Sequence, residues 1–151
     1  MTSKTLAKNR MARFKFEIHK TMEVGLVLLG TEVKSVRAGQ INLAESYCRV
    51  DDNLQVYLLN AHISQYDFGN RHNHDPLRPR RLLLHRAEIH RLYGQVKEKG
   101  LTLIPLKIYL KGGIIKMEIA LGRGKKLHDK RQTLKNRDAQ RDVERALSER
   151  T

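Results

Sequence analysis

The side chains that could do chemistry here are seven histidines, the acids near them and one glycine-rich basic run. None falls into a catalytic pattern. His72 and His74 flank Asn73 in a polar stretch, with no HExxH motif and no cysteine pair to complete a metal site. His85-Arg86-Ala87-Glu88-Ile89-His90 is one residue longer than the H-x-x-E-H spacing, so a helix would misplace the second ligand. Gly122-Arg123-Gly124-Lys125-Lys126 has the end of a phosphate loop but lacks its earlier glycine and its terminal hydroxyl residue. Contact with a nucleic-acid phosphate suits it better than nucleotide hydrolysis. No G-x-S-x-G nucleophile elbow is present. The expectation is a protein with no metal, no cofactor and no turnover. Cys48, the single cysteine, reads as a small buried hydrophobe in a strand, and one thiol points to a reducing, intracellular setting.

What the sequence offers instead is charge. The 151 residues carry 30 Lys and Arg against 16 Asp and Glu, a formal net charge of +14. Residues 1–15 hold five basic groups and no acid, whereas residues 16–70 hold four basic and seven acidic groups, net −3. Residues 71–86 have five arginines against Asp75, residues 87–124 have seven basic and three acidic groups, and residues 125–151 have nine and five. A uniformly solvated surface does not predict a net acidic stretch of that length. Clustering of this kind predicts a docking face for a polyanion. The start, MTSKTLAKNR, has no apolar segment after its cations, and no run nears eighteen apolar residues, so neither a secretory signal nor a membrane span is expected.

The elements that must position these charges are mostly strands. Phe14–Ile18 and Val24–Leu29 are rich in β-branched, aromatic and leucine residues. Gly30–Gly39 reads as a short helix capped by Thr31 and ended by Gly39. Tyr47–Val50 and Leu54–Leu59 flank the turn residues Asp51-Asp52-Asn53. Gly69–Arg81 reads as an arginine-rich loop, and Leu82–Leu84 as a short strand or the lead into a helix over Arg86–Lys99. That helix has Ile89, Leu92, Tyr93 and Val96 on one face and stops at Gly100. Leu101–Leu110 and Ile114–Leu121 surround Lys111-Gly112-Gly113 as a hairpin, with Pro105 marking an edge or a bulge. The expected class is mainly β, an OB-like antiparallel barrel with two or three flanking helices, an open α+β sheet being the alternative. Residues 1–124 would form the domain with a short basic N-terminal arm. Residues 125–151 would form a basic tail, disordered when free and helical against a counter-charged surface.

Four blocks, taken in order, carry a specific resemblance. Gly30–Gly39 (GTEVKSVRAG), Gly69–Pro76 (GNRHNHDP), Arg80–His85 (RRLLLH) and Gly124–Arg131 (GKKLHDKR) are similar to the SsrA-binding proteins, a family also called small protein B. The similarity runs from about Asn9 to the C-terminus. It implies an OB-like fold and a cytoplasmic role in trans-translation. Such proteins bind the tRNA-like domain of transfer-messenger RNA (SsrA RNA) and carry it to the A site of stalled ribosomes, where incomplete peptides are tagged for degradation. The implied partners are that RNA and the small-subunit decoding centre and mRNA channel. Elongation factor Tu and alanyl-tRNA synthetase are implied only indirectly, through the RNA.

The resemblance also assigns residues. Glu23, in the turn-like Glu23-Val24-Gly25, would accept hydrogen bonds from a base edge. Leu83 would pack on an unstacked base, His85 would stack or donate, and Lys116 would pair with phosphate. Arg13, Lys34, Arg37, Arg123, Lys125 and Lys126 complete the RNA-binding set. In the tail, His128, Asp129, Lys130 and Arg131 match the segment needed for tagging, and Arg137, Arg141 and Arg145 fall on one helical face. Taken alone, Glu23 reads equally as a surface ion-pair partner, and Leu83 as a core residue. Phe14 and Phe16 stand where the family usually has His and Tyr. A generic ribosomal protein and an RNA-processing enzyme are the competing classes.

Overall fold

Two glycines with positive φ fix the longest hairpin. Gly112 (φ 59°) and Gly113 (φ 79°) make the tight turn that twists with its strands, and from it β8 (Thr102–Lys111) and β9 (Ile114–Gly124) pair along their whole lengths. The computed structural model describes residues 3–67 and 73–125, together with the single positions Arg131 and Arg141. Around the hairpin, β9 pairs with β2 (Phe16–Leu26), β2 with β7 (Arg80–Leu83), β7 with β5 (Val56–Leu59) and β5 with β4 (Tyr47–Val50). All pairings are antiparallel. On the other side β1 (Ser3–Lys8) pairs with β8, so the seven-stranded order is β1-β8-β9-β2-β7-β5-β4. Two short strands, β3 (Ile41–Asn42) and β6 (His62–Ile63), form a second small sheet. Three helices are delimited within residues 3–125: α1 (Ala12–Lys15), α2 (Gly30–Arg37) and α3 (Arg86–Lys99).

The architecture is thus mainly β and antiparallel with three helices, as expected. The hydrogen-bonded ladder runs from β1 to β4 without closing, because β1 and β9 occupy both edges of β8 along Lys107–Lys111 and β4 meets β8 by packing. Val36, Leu43, Val56, Leu58, Ile63, Leu82, Ile108, Met117 and Ile119 form the core. Cys48 is buried with them, and burial pushes its thiol well up, keeping it neutral.

Several sequence expectations shift. Residues 3–8 of the basic arm are a strand rather than a loose segment. Of the two strands expected at 14–18 and 24–29, Phe14 and Lys15 fall in α1, while Phe16–Ile18 and Val24–Leu26 are one strand, because β9 pairs alongside through the polar residues between them. His19 falls in the register shift between Ile18 and Lys20, and beside it Gly122 packs so tightly that a Cβ would stand 2.3 Å from the Glu17 carbonyl oxygen. Val27 still donates its N–H to the Arg81 carbonyl at 2.9 Å, and after it the chain leaves the ladder to start α2. Thr31 is not the cap: the N-cap is Leu29, whose N–H donates to Glu32 Oε1 at 2.8 Å. Thr31 Oγ1 instead bonds Nδ1 of buried His74 at 2.9 Å. Because His74 Nε2 faces the Ile63 carbonyl oxygen at 2.9 Å, it carries a proton and donates. Pro105 sits at a bulge in the β8–β9 ladder, where Asn9 side chain and backbone bind the Pro105 and Leu106 carbonyls at 2.9 and 2.8 Å.

Arg80, expected in a loop, opens β7 and is, among the described residues, the largest fully buried side chain. Its Nε donates to Glu32 Oε2 at 2.6 Å, its Nη1 to the Ala61 carbonyl at 2.6 Å and its Nη2 to Pro76 at 3.2 Å. Glu32, also fully buried, takes a second guanidinium from Arg78 at 2.6 Å. Burial raises the Glu32 pKa, but the hydrogen bonds from Arg78, the Leu29 N–H and Arg80 outweigh it, so the carboxyl lies below its ordinary range. A lowered native pKa makes this contribution fully present above the ordinary carboxylate range and lost as pH falls through the native value. Glu32→Gln leaves Arg80 buried without its counter-ion and is expected to cost about 3–5 kcal/mol in urea denaturation at neutral pH. It should also flatten the acid side of the stability profile.

Candidate nucleic-acid interface

The outward face of the sheet is built from register. In antiparallel strands directly opposed residues share a face, and Leu83, Gly25, Lys116 and Tyr109 oppose one another in sequence across β7, β2, β9 and β8. Glu23 lies two residues along β2 on the same side. Because Arg80 and Leu82 point inward, Arg81 and Leu83 point outward, and Leu83 is 50% exposed. Core packing is therefore not its role. His85, the N-cap residue of α3, projects an almost fully exposed ring 4.0 Å from Glu88. These residues line one cleft of about 370 Å³, its walls Glu23, Leu83, Leu84, His85, Glu88 and Lys116 and its floor Val24 and Gly25. A Cβ at Gly25 would stand 3.1 Å from that of Leu83, so the bare backbone there keeps the cleft open.

Glu23 is held rather than free. The Tyr109 hydroxyl donates a short hydrogen bond to Oε2, and Lys111 Nζ approaches the same oxygen at 3.3 Å. Among the described residues no donor takes Oε1. The Tyr109 hydroxyl is the main cause of a Glu23 pKa below the usual carboxylate value; partial desolvation opposes it, and Lys111 and Lys116 add to it. Burial and the facing carboxylate push the Tyr109 phenol up in turn. The cleft thus offers an ionised acceptor with an open oxygen, an apolar patch, an exposed imidazole and an ammonium.

Four of the residues assigned by resemblance come together, and the other assigned residues that the structure describes do not. Arg13, Arg123 and Lys125 cluster where α1 meets the ends of β2 and β9: Lys125 Nζ donates to the Arg13 carbonyl and its N–H to the Lys15 carbonyl, each at 2.9 Å, while Arg123 opposes Glu17. Arg123 lies seven positions, roughly 23 Å, along β9 from Lys116, so these cations form two patches rather than one. Lys34 lies over the Tyr66 ring at 5.2 Å, and Arg37 Nη2 donates to the Gly113 carbonyl at 2.8 Å, bracing the hairpin turn. Arg131 and Arg141 are exposed and helical. Lys126, His128, Asp129, Lys130, Arg137 and Arg145 lie outside the described residues. Phe16 packs on a second apolar cluster of Ala12, Ile104, Leu106 and Ala120, which accounts for an apolar ring at that position. Tyr109 and Lys111 were missed in the sequence; their alternation with apolar neighbours in β8 was the available signal. Among the described residues no helix is long and apolar enough to cross a membrane.

Tyr109→Phe removes the main hydrogen bond to Glu23, so its carboxyl should titrate closer to the ordinary value, at higher pH than in the unaltered protein. Carboxylate NMR titration of the two proteins checks this.

Comparison with known proteins points one way. The family model described as "SmpB protein" matches residues 6–149. An SsrA-binding protein of Thermosynechococcus vestitus is 56% identical over 148 residues, covering 97% of each chain. One of Halalkalibacterium halodurans is 56% identical over 146 residues, covering 97% of this chain and 94% of its own. A solved structure described as "tmRNA-SmpB: a journey to the center of the bacterial ribosome" superposes with a TM-score of 0.65 at 48% identity, over 80% of this chain and 85% of that one. With nearly its whole length matched by that model and by relatives this similar, the chain belongs to the SmpB protein family.

Proposed function

We propose that this protein binds the tRNA-like domain of transfer-messenger RNA through the Glu23–Leu83–His85–Lys116 cleft and delivers it to the A site of stalled ribosomes, where incomplete peptides are tagged. The observation that carries this reading is the convergence in one cleft of the Glu23 carboxylate, its Oε1 open, with exposed Leu83, His85 and Lys116. These are the groups that recognise a base edge, an unstacked base and a phosphate. The name of the relatives and the ribosomal setting of the solved neighbour support the same partners. The work is attachment without turnover.

Residues 1–124 form the RNA-binding domain in this reading. The packing of β4 against β8 supports an OB-like barrel closed by side chains. Arg13, Arg123 and Lys125 form a separate cationic patch leading into the tail, where Lys126 adds a further cation in sequence, and Lys34 and Arg37 flank the hairpin side. The tail from Lys125 onward reaches the decoding centre and the mRNA channel of the small subunit, with His128, Asp129, Lys130, Arg131, Arg137, Arg141 and Arg145 as its contacts. Elongation factor Tu and alanyl-tRNA synthetase meet the protein only through the RNA, in the bacterial cytoplasm.

Glu23→Ala should weaken binding of the isolated tRNA-like RNA about tenfold or more with an unchanged salt slope, whereas Lys116→Ala should shallow that slope by about one. Truncation before His128 should leave this affinity nearly intact and abolish tagging in a reconstituted translation system. Loss of RNA binding on truncation would contradict the division between domain and tail.

A further inference from the structure

Beyond the cleft, the outward sheet face carries a second row with no internal role. Arg49 on β4 directly opposes Tyr57 on β5, and Tyr57 opposes Arg81 on β7. The three side chains therefore stand side by side on one face, neighbouring strands being about 4.8 Å apart. Arg49 and Arg81 are exposed and Tyr57 is half-exposed. Their inward neighbours Cys48, Val56, Leu58, Arg80 and Leu82 are buried. Among the described residues neither guanidinium has an acidic partner, neither lies over the tyrosine ring, and the tyrosine hydroxyl is unbonded. The contrast with Arg78 and Arg80, which share the Glu32 carboxylate, is sharp.

We infer that Arg49, Tyr57 and Arg81 form a second contact for the same folded RNA that occupies the Glu23 cleft, Tyr57 offering its face to a base and the two arginines binding the flanking phosphates. Unpaired guanidiniums flanking an open aromatic ring are what a polynucleotide needs: two strong cations for its backbone and a π-surface for stacking. Continuity decides which RNA. Arg81 is two residues from Leu83 on the same face of β7, so a ligand packed on Leu83 meets Arg81 before it leaves the sheet. This inference rests on the cleft reading and extends its footprint to the β4 edge.

The test is affinity of the full chain for the isolated tRNA-like domain of transfer-messenger RNA across a salt series. Arg49→Gln and Arg81→Gln should each shallow the slope of log affinity against log salt by about one. Tyr57→Ser should weaken binding about tenfold, with Tyr57→Phe restoring it. All three positions of change lie on the outer face, and thermal melts compare the folding of the variants with that of the parent. If these variants bind as tightly as the parent at every salt while Glu23→Ala still weakens binding, the row is not part of the footprint and the cleft reading stands. If the variants lose only binding to purified small ribosomal subunits, the row belongs to ribosomal RNA and the inference is overturned. If Glu23→Ala is also without effect, the cleft reading has failed, and this one with it.

Discussion

A carboxylate and a guanidinium, both taken wholly out of water, hold this fold in register. Glu32 and Arg80 come from segments 48 residues apart, and neither charge is tolerable in the interior without the other. Their contact fixes α2 against β7, and the remaining donors of Arg80 fasten the loop at Pro76 and the carbonyl of Ala61. Arg78 closes the carboxylate from outside and reaches the Val27 carbonyl at 3.3 Å. A buried pair of this kind contributes little net stability over an apolar replacement, yet removing one partner is costly. Its consequence is positional: with Arg80 and Leu82 inward, strand alternation leaves Arg81 and Leu83 no choice but to face out.

That constraint changes what the charge of the molecule means. The arginine-rich stretch 71–86 looks like a single patch for a polyanion, but Arg78 and Arg80 are consumed internally, and only part of the surplus is presented to a partner. The motifs that carry the family likeness divide in the same way. Glu32, Ser35 and Val36 of the first block, His74 of the second and Arg80 of the third are buried. Asn73 ties Tyr66 through both its backbone groups at 3.0 and 2.7 Å. The described parts of these blocks are chiefly the lock of the fold; Leu83, Leu84 and His85 of the third block face the cleft, and the other cleft residues, such as Glu23 and Lys116, lie outside the blocks.

Elements whose signals are local were legible in the sequence. The helix Arg86–Lys99, with its apolar spacing and Gly100 in the left-handed conformation, and the strand Tyr47–Val50 have the expected bounds. The Gly-Gly hairpin and the Pro105 irregularity also needed only neighbouring residues. What was not legible depended on distant partners. Ser3–Lys8 has no strong alternation and becomes a strand only because β8 offers an edge. The continuity of β2 through His19–Glu23 requires β9 alongside. Charged residues are read as surface by default, so the Glu32–Arg80 pair is invisible without the fold. At the site, Glu23, Leu83, His85 and Lys116 came from resemblance, whereas Gly25 as cleft floor and Tyr109 and Lys111 as holders of Glu23 follow only from cross-strand register.

If the cleft binds RNA as proposed, its acid has a physical purpose that the surrounding cations do not share. A basic surface attracts any nucleic acid, and most of that attraction is indifferent to sequence and shape. A carboxylate placed among those cations repels phosphate, so it lowers affinity for every pose that brings the backbone over it. Tyr109 and Lys111 keep it ionised and oriented by one oxygen, leaving the other as an acceptor that must be satisfied once solvent is displaced. Under the proposed function, the favoured pose is therefore one in which a base edge presents a donor to Glu23 while phosphates lie over Lys116 and its neighbours. Discrimination arises from the penalty on all other poses as much as from the bond itself. The bare backbone at Gly25 matters for the same reason: a side chain there would lift the ligand away from the acid and leave only the indiscriminate attraction.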